Sequence, residues 1–232
     1  IKLTANNLES LIIHDNGIIE LPLQSGINYK NVNVIGTQQV IPDGFSTPLI
    51  FDTKVFDQGD EFSLSKSGPF TAHADSATNN LKSVGAFASA AVGMWCWNLT
   101  DHTYVRITAV VDDDNVTVTP AVNDTWDGDT FWWFNSKFVA DEAGLYVVTT
   151  TLSFRNMASG KIGSLLLFKN NVITRQWGGY SHGATNTWVS MTQSAELAAT
   201  DYLEILALHD HGSDITLIGL DQTFNINILK VA

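Results

Sequence analysis

Apolar and polar positions alternate with period two along Leu145–Phe154: Tyr146, Val148, Leu152 and Phe154 fall on one face, and Leu145, Val147, Thr149, Thr151 and Ser153 on the other. An acidic turn, Asp141-Glu142-Ala143-Gly144, leads into this strand. The pattern continues with Gly163–Phe168, an Asn170-Asn171 turn and Val172–Trp177. Asn tolerates the positive φ that a two-residue turn demands, so these segments predict a β-hairpin. Thr187–Ser194, a corner at Ala198–Asp201, Tyr202–His209 and a last strand near Thr223–Val231 follow, the last placing Phe224, Ile226 and Ile228 on one side. The C-terminal half therefore reads as a series of antiparallel strands.

Upstream, Val105, Thr108 and Val110-Val111 run into the turn Asp112-Asp113-Asp114-Asn115, and Val116–Thr119 returns as the second strand of a hairpin. Trp132 and Trp133 place one ring on each face of a strand, one inward and one outward. Val32–Phe62 reads as a set of opening strands with a turn at Pro42-Asp43-Gly44 and strand residues at Phe51 and Val55. Residues 1–30 differ: short apolar runs are broken by Asn6-Asn7, Asp15-Asn16-Gly17 and Pro22, which predicts an extended arm that gains order against another surface.

Four segments of the C-terminal half resemble a known family. Phe138, Ala140, Ala143-Gly144 and Tyr146 match a phenylalanine-x-alanine-x-x-alanine-glycine-x-tyrosine signature. Lys169-Asn170-Asn171 matches its hairpin, Leu197–Asp201 its leucine-x-x-x-aspartate strand entry, and Phe224 its final strand. The family is the jelly-roll domain of the complement first component q head, tumour-necrosis-factor-like proteins and many tailed-phage surface proteins. One position departs from it: the residue before Asp201 is usually Gly and here is Thr200, which puts the shape of that corner in question. A second likeness spans Asp75–Leu81, Phe87, Val92-Gly93, Trp97–Asp101, Val105–Val111, Asp114–Thr119 and Trp126–Asp129, which looks like a small β module found repeatedly in phage virion proteins. Together these imply an all-β chain, an antiparallel jelly-roll β-sandwich (residues 31–74 and 131–232) with an extended N-terminal arm (1–30) and an inserted small β module (75–130). The resemblance also implies a homotrimer.

Composition narrows the partners. The 232 residues are 44% hydrophobic, enough for one large or two small packed cores. Lys and Arg number 12 against 24 Asp and Glu, a net charge of −12, which argues against nucleic acid or anionic lipid as partner. No apolar run reaches the length of a membrane span, so no membrane insertion is expected. The single Cys96 lies between Trp95 and Trp97 and reads as a small buried residue; no internal disulfide is available. The chain begins at Ile1, and Leu11–Ile13 and Ile18-Ile19 are too short for a secretory signal; processing, a fragment and an incomplete start all fit.

Candidate chemistry is sparse. Of the six histidines, His14, His73, His102, His182, His209 and His211, only His209 and His211 have ligand-like spacing, and in a strand they share a face. Asp112–Asp114 and Asp124, Asp127 and Asp129 are oxygen-rich enough for calcium, but the second set lacks the glutamate that closes a calcium loop, and both read as solvated turns. No nucleophile elbow, phosphate loop or zinc-protease motif is present, so no enzyme, metal or cofactor is expected. Asn-x-Thr sequons at Asn98, Asn115 and Asn123 are discounted, two of them being part of the module's own pattern. Trp177, Tyr180 and His182 flank Gly178-Gly179 in what reads as a loop, a combination suited to stacking on a sugar, anchoring in a protein pocket or packing at a subunit interface.

Two functional classes follow. In the first, the chain is a structural surface protein of a tailed-phage virion, a trimeric capsid decoration protein anchored by its arm to other virion proteins. In the second it is the receptor-binding tip of a tail fibre or spike, contacting a host-surface glycan or protein. A secreted complement-q-like lectin is a third. An arm plus two β units occupies the whole chain and leaves no stalk, which favours the structural class and a place on the virion surface.

Overall fold

The computed structural model describes residues 2–5, 8–13, 19–20, 31–36, 38–57, 59–120, 125–182, 185–218 and 224–231. Among them the chain is all strand and turn. In the N-terminal segment, β1 (Lys2–Ala5), β2 (Leu8–Ile13) and β3 (Ile19–Glu20) form a three-stranded antiparallel sheet in the order β1-β2-β3. Within the expected arm, the described strands pair with one another through the backbone. His14 and residues 21–30 lie outside the described residues.

A jelly-roll sandwich follows. Its first sheet has the order β17-β14-β20-β4-β7, built from β4 (Asn31–Gly36), β7 (Phe51–Asp57), β14 (Gly144–Met157), β17 (Thr185–Leu197) and β20 (Phe224–Lys230). All its pairings are antiparallel. The facing sheet runs β16-β15-β18-β13, from β13 (Thr130–Val139), β15 (Ile162–Lys169), β16 (Val172–Tyr180) and β18 (Tyr202–His209), with β8 (Phe62–Thr71) on the far side of β13. Short β6 (Thr47–Pro48) pairs with β18, and β5 (Val40–Ile41) pairs with β19 (Ile215–Thr216). The Gly44 backbone, at φ +73°, completes the expected turn after Pro42.

Between the sheets lies the larger core, in which Tyr146, Val148, Leu152, Phe154, Phe224, Ile226 and Ile228 meet Phe138, Leu165, Leu167, Leu203 and Ile205. These are the inward positions of the period-two pattern, each burial contributing roughly 1.5–3 kcal/mol. Gly163 is required for closure: a Cβ there would stand 2.6 Å from the Phe154 ring.

A second core lies beside the first. β9 (Asn80–Lys82), β10 (Trp95–Asn98), β11 (Thr103–Asp112) and β12 (Asn115–Thr119) continue the large sheet from β13 in the order β13-β10-β11-β12-β9. Leu81, Phe87, Cys96, Val105, Ile107, Val116, Val118 and Trp126 pack there, and the cluster also takes in Ala72, Phe131 and Trp133 from just outside 75–130. Trp133 is the inward ring and donates its indole N–H to Ala86 O at 2.7 Å; the half-buried Trp132 takes the Lys66 ammonium over its ring at 4.3 Å. Asn98 is wholly buried, receives the Thr100 and Asp101 N–H groups and donates to Asp129 at 2.7 Å. Asn123 lies outside the described residues.

Strand β13 serves both cores along one edge: Trp95–Asn98 pair with its first half and Tyr202 and Leu203 with its last residues. A polar brace joins the two parts. Buried Glu204 of β18 accepts from Arg106 Nη2 at 2.8 Å and from Trp95 Nε1 at 3.0 Å, and the guanidinium lies 4.1 Å over the Trp95 ring. Tyr104 donates to Val40 O and accepts from Gln39, both at 3.0 Å.

Three of the four segments that carry the family resemblance converge at one end of the sandwich, while Phe224 lies along β20 opposite Leu152. Thr200 N–H donates to Ala140 O at 2.6 Å, and Ala140 N–H to Asp201 O at 2.9 Å. Asp201 accepts from Ala198 N–H at 2.8 Å and Asn170 Nδ2 at 2.6 Å, and pairs with Lys169 at 2.8 Å. Asn170 and Asn171 take φ +51° and +66°, as the hairpin requires, and Thr200 takes φ +75°. The corner therefore keeps the left-handed backbone that suits glycine although its residue is β-branched.

Replacing Thr200 by Gly relieves that strain at the cost of a more flexible unfolded chain, and should raise the unfolding free energy by about 1 kcal/mol in denaturant titrations. The Lys169 ammonium, then Asn170 and the Ala198 N–H, hold the Asp201 carboxyl at about 2. Because this lies below the ordinary carboxyl value of about 3.9, the contribution is full above about pH 4 and is lost as pH falls towards about 2. Asp201→Asn should be less stable at neutral pH and lose less stability on acidification through that window, measured by thermal melts across pH.

Candidate interaction surface

The central part of the outward face of the sheet β17-β14-β20 is built from residues that carry no charge. Register sets Thr149 beside Thr192 and Asn227, Thr151 beside Ser190 and Asn225, and Val147 beside Ser194 and Leu229. Thr149 and Thr192 hydroxyls lie 3.3 Å apart, and those of Thr151 and Ser190 3.1 Å, so the hydroxyls form cross-strand pairs that hold the side chains in place. Leu145 is exposed at one end and Trp188, 53% exposed, at the other. Among the described residues of these three strands the charged ones on the outward side lie at the rim: Glu196 opposite Leu145 at one end and exposed Arg155, just past Phe154, at the other. The segments behind it, Gly144–Phe154, Thr185–Ala195 and Phe224–Leu229, contain no charged residue, in a chain with 24 acidic ones. Depletion of charge with a retained aromatic is what distinguishes the centre of a protein interface from ordinary surface.

The sequence-predicted trio is placed differently from expectation. Trp177 and Tyr180 lie within strand β16 rather than in a loop. Gly178 and Gly179 pair with Ser164 and Gly163, and a Cβ on Gly179 would sit 3.2 Å from Trp188 O. Gly179 marks close passage of β17 and Gly178 close packing on Ile162 and Ser164 of β15, which in sequence read as loop flexibility. The odd spacing then turns the two rings to opposite faces: Trp177 packs on the larger core, whereas Tyr180 is 64% exposed. His182 is exposed just beyond the strand end, after buried Ser181, whose hydroxyl donates to Met157 O at 2.8 Å. Tyr180 and His182 therefore lie towards solvent and Trp177 does not join them.

The histidine pair is also rearranged. His209 ends β18, while His211 lies beyond it in the following bend, so they do not share a strand face. Buried His209 donates from Nε2 to Ile41 O at 2.8 Å and accepts His211 N–H at Nδ1 (3.2 Å); His211 Nδ1 accepts Ala158 N–H at 3.0 Å. Asp112 Oδ1 accepts Asp114 N–H at 2.9 Å, and Asp129 is buried against Asn98. Asp124 lies outside the described residues. Among the described residues no group of three or more His, Cys, Asp or Glu is arranged to hold a metal ion. Burial pushes the Cys96 thiol far above its ordinary pKa.

No protein-family model and no curated protein sequence matches the chain. Among solved structures, the globular domain of a zebrafish complement 1qA protein aligns at TM-score 0.42 and 11% identity, over 88% of this chain and 98% of its own. Murine APRIL at pH 5.0 aligns at TM-score 0.43 and 7% identity over 88% and 100%. The PRD1 vertex protein P5 aligns at TM-score 0.39 and 10% identity over 88% and 96%.

The placement of the aromatic pair yields a direct comparison. Trp177→Ala should lower stability by about 2–3 kcal/mol, since its ring packs on the core, while Tyr180→Ala should stay within about 0.5 kcal/mol. Chemical denaturation of the two variants checks this.

Proposed function

We propose that the protein is a non-enzymatic structural component of a virion surface that acts as a homotrimer, with the uncharged face of β14, β17 and β20 turned towards the threefold axis. The observation that carries this reading is that face. Three copies bring together three times −12, or −36 charges, so close association requires a contact surface free of acid. The hydroxyl pairs and Trp188 supply one. The signature at Phe138–Tyr146, which resembles trimeric jelly-roll proteins including tailed-phage surface proteins, supports the same assembly. In this reading residues 31–74 and 131–232 are the jelly roll, 75–130 an inserted module, and residues 1–30 attach the trimer to a capsid or tail scaffold, so that docking stabilises the particle by mass action.

Sedimentation velocity and a particle-binding assay test it together. The intact chain should sediment as a trimer and decorate virions. Thr151→Arg, which sets a cation on the contact face, should sediment as a folded monomer, and a chain lacking residues 1–30 should remain trimeric without decorating. A monomeric intact chain overturns the assembly. Binding to host cells with block of infection, in place of decoration, transfers the reading to a receptor-binding tip.

A further inference from the structure

Around the β11–β12 turn the second core carries exposed valines that neither core nor the uncharged face uses. Val84 is 82% exposed and Val111 59%, with Val92 and Val110 also exposed. Val84 is held beside the β11–β12 turn by three bonds: Ser83 N–H to Asp114 O at 2.8 Å, Gly85 N–H to Asp114 Oδ1 at 2.5 Å, and Phe87 N–H to Asp113 O at 2.8 Å. Below it the loop is anchored by Trp133 bonding Ala86 O and by buried Phe87 stacked on Phe131 at 5.6 Å. Val92 adjoins Gly93, whose N–H donates to Ile107 O at 2.8 Å along the same strand as Val110 and Val111.

This loop is fixed from beneath, so its outward valine is presented to water by a rigid scaffold and not by slack chain. Around it stand Asp112, Asp113 and Asp114, all exposed, and a concavity lined by Val84, Asp112, Asp114, Asp75 and Lys82. Lys82 and His73 are drawn to Asp75, at 2.6 and 2.7 Å, which leaves the Asp112–Asp114 side acidic. Exposed Val84 and Val111 beside the acidic Asp112–Asp114 turn have the make-up of a protein-docking surface.

We propose that this tip docks a second protein through a segment that presents an apolar side chain flanked by lysine or arginine. Charge selects this occupant over another copy of the chain. A second tip would bring its own Asp112–Asp114 against the first, and the chain as a whole carries 12 Lys and Arg against 24 acids. The contact is separate from the uncharged face and does not depend on the oligomer.

Calorimetric titration with three short synthetic peptides tests it: alternating Lys and Val, alternating Lys and Ser, and alternating Glu and Val. The Lys/Val peptide should bind, and the other two should bind at least about tenfold more weakly. Asp113→Lys, whose backbone carbonyl still receives Phe87 N–H, should weaken Lys/Val binding by about tenfold, whereas Asp52→Lys, with the same net charge but placed on β7, should leave it unchanged. Val84→Ser with Val111→Ser should also weaken it. Equal loss in the Asp113 and Asp52 variants reduces the effect to bulk charge and overturns the proposal, as does indifference to the valine substitutions or absence of binding. Self-association abolished by the valine substitutions, with no peptide bound, overturns it in favour of a second copy. Should the double valine variant fail to fold, the Asp113 and Asp52 pair decides alone. The same titrations on Thr151→Arg protein keep failure here distinct from failure of the trimer.

Discussion

The arrangement depends on the length of one strand. Thr130–Val139 runs through both cores, giving Phe131 and Trp133 to the smaller and Phe138 to the larger. One edge of it is shared in sequence by Trp95–Asn98 and by Tyr202 and Leu203, and the other is paired along its length by Phe62–Thr71. Two parts of one sheet that meet on a single strand cannot twist independently, because any rotation of one is transmitted through the ladder to the other. The brace from Glu204 to Arg106 and Trp95 closes the angle between them. Losing one partner of such a buried pair costs about 3–5 kcal/mol, so the acid, the guanidinium and the indole hold one another in place.

The residues that make the chain resemble a family are structural. Ala140, Asn170, Ala198 and Asp201 satisfy one another's backbone groups at a single corner, and the Tyr146 hydroxyl donates to Glu142 O at 2.9 Å above its ring contact with Phe138. A signature of this kind reports how strands enter and leave a sandwich. It is silent about what the sandwich touches. That explains how Thr200 is accommodated: the corner is imposed by bonds from its neighbours, which outweigh the preference of one residue.

The strands of the C-terminal half were legible because period-two alternation over Leu145–Leu152 and Phe224–Lys230 coincides with burial on one face, while Tyr202–His209 is a short apolar run buried on both faces. The Asn170-Asn171 turn and the Asp112–Asn115 hairpin were legible from turn chemistry. The role of Gly178 and Gly179 was not, because a glycine that admits a neighbouring strand and one that bends a loop look alike until the strand is placed. His209 and His211 misled for a similar reason: their spacing fits a shared strand face only if the strand continues, and it stops at His209. The second core passes the 75–130 limits because alternation cannot reveal that one strand serves two cores.

The uncharged face was within reach of sequence reading by a signal other than hydrophobicity. Thr149, Thr151, Ser190, Thr192 and Asn227 are polar, so a search for apolar surface passes over them. What sets them apart is the absence of carboxylates in three separate segments that only the strand order brings together. In a chain this acidic, charge is the default state of the surface, and its omission needs a cause. Solubility supplies none, since Thr and Ser gain nothing in water that Asp and Glu lack. Close approach of another surface does, because a buried unpaired carboxylate costs several kcal/mol while a hydroxyl can pair with its cross-strand neighbour. The tip around Val84 inverts the pattern, with apolar side chains held out among acids. The two surfaces thus differ in the partner each can tolerate: a neutral one for the sheet face, a cationic one for the tip.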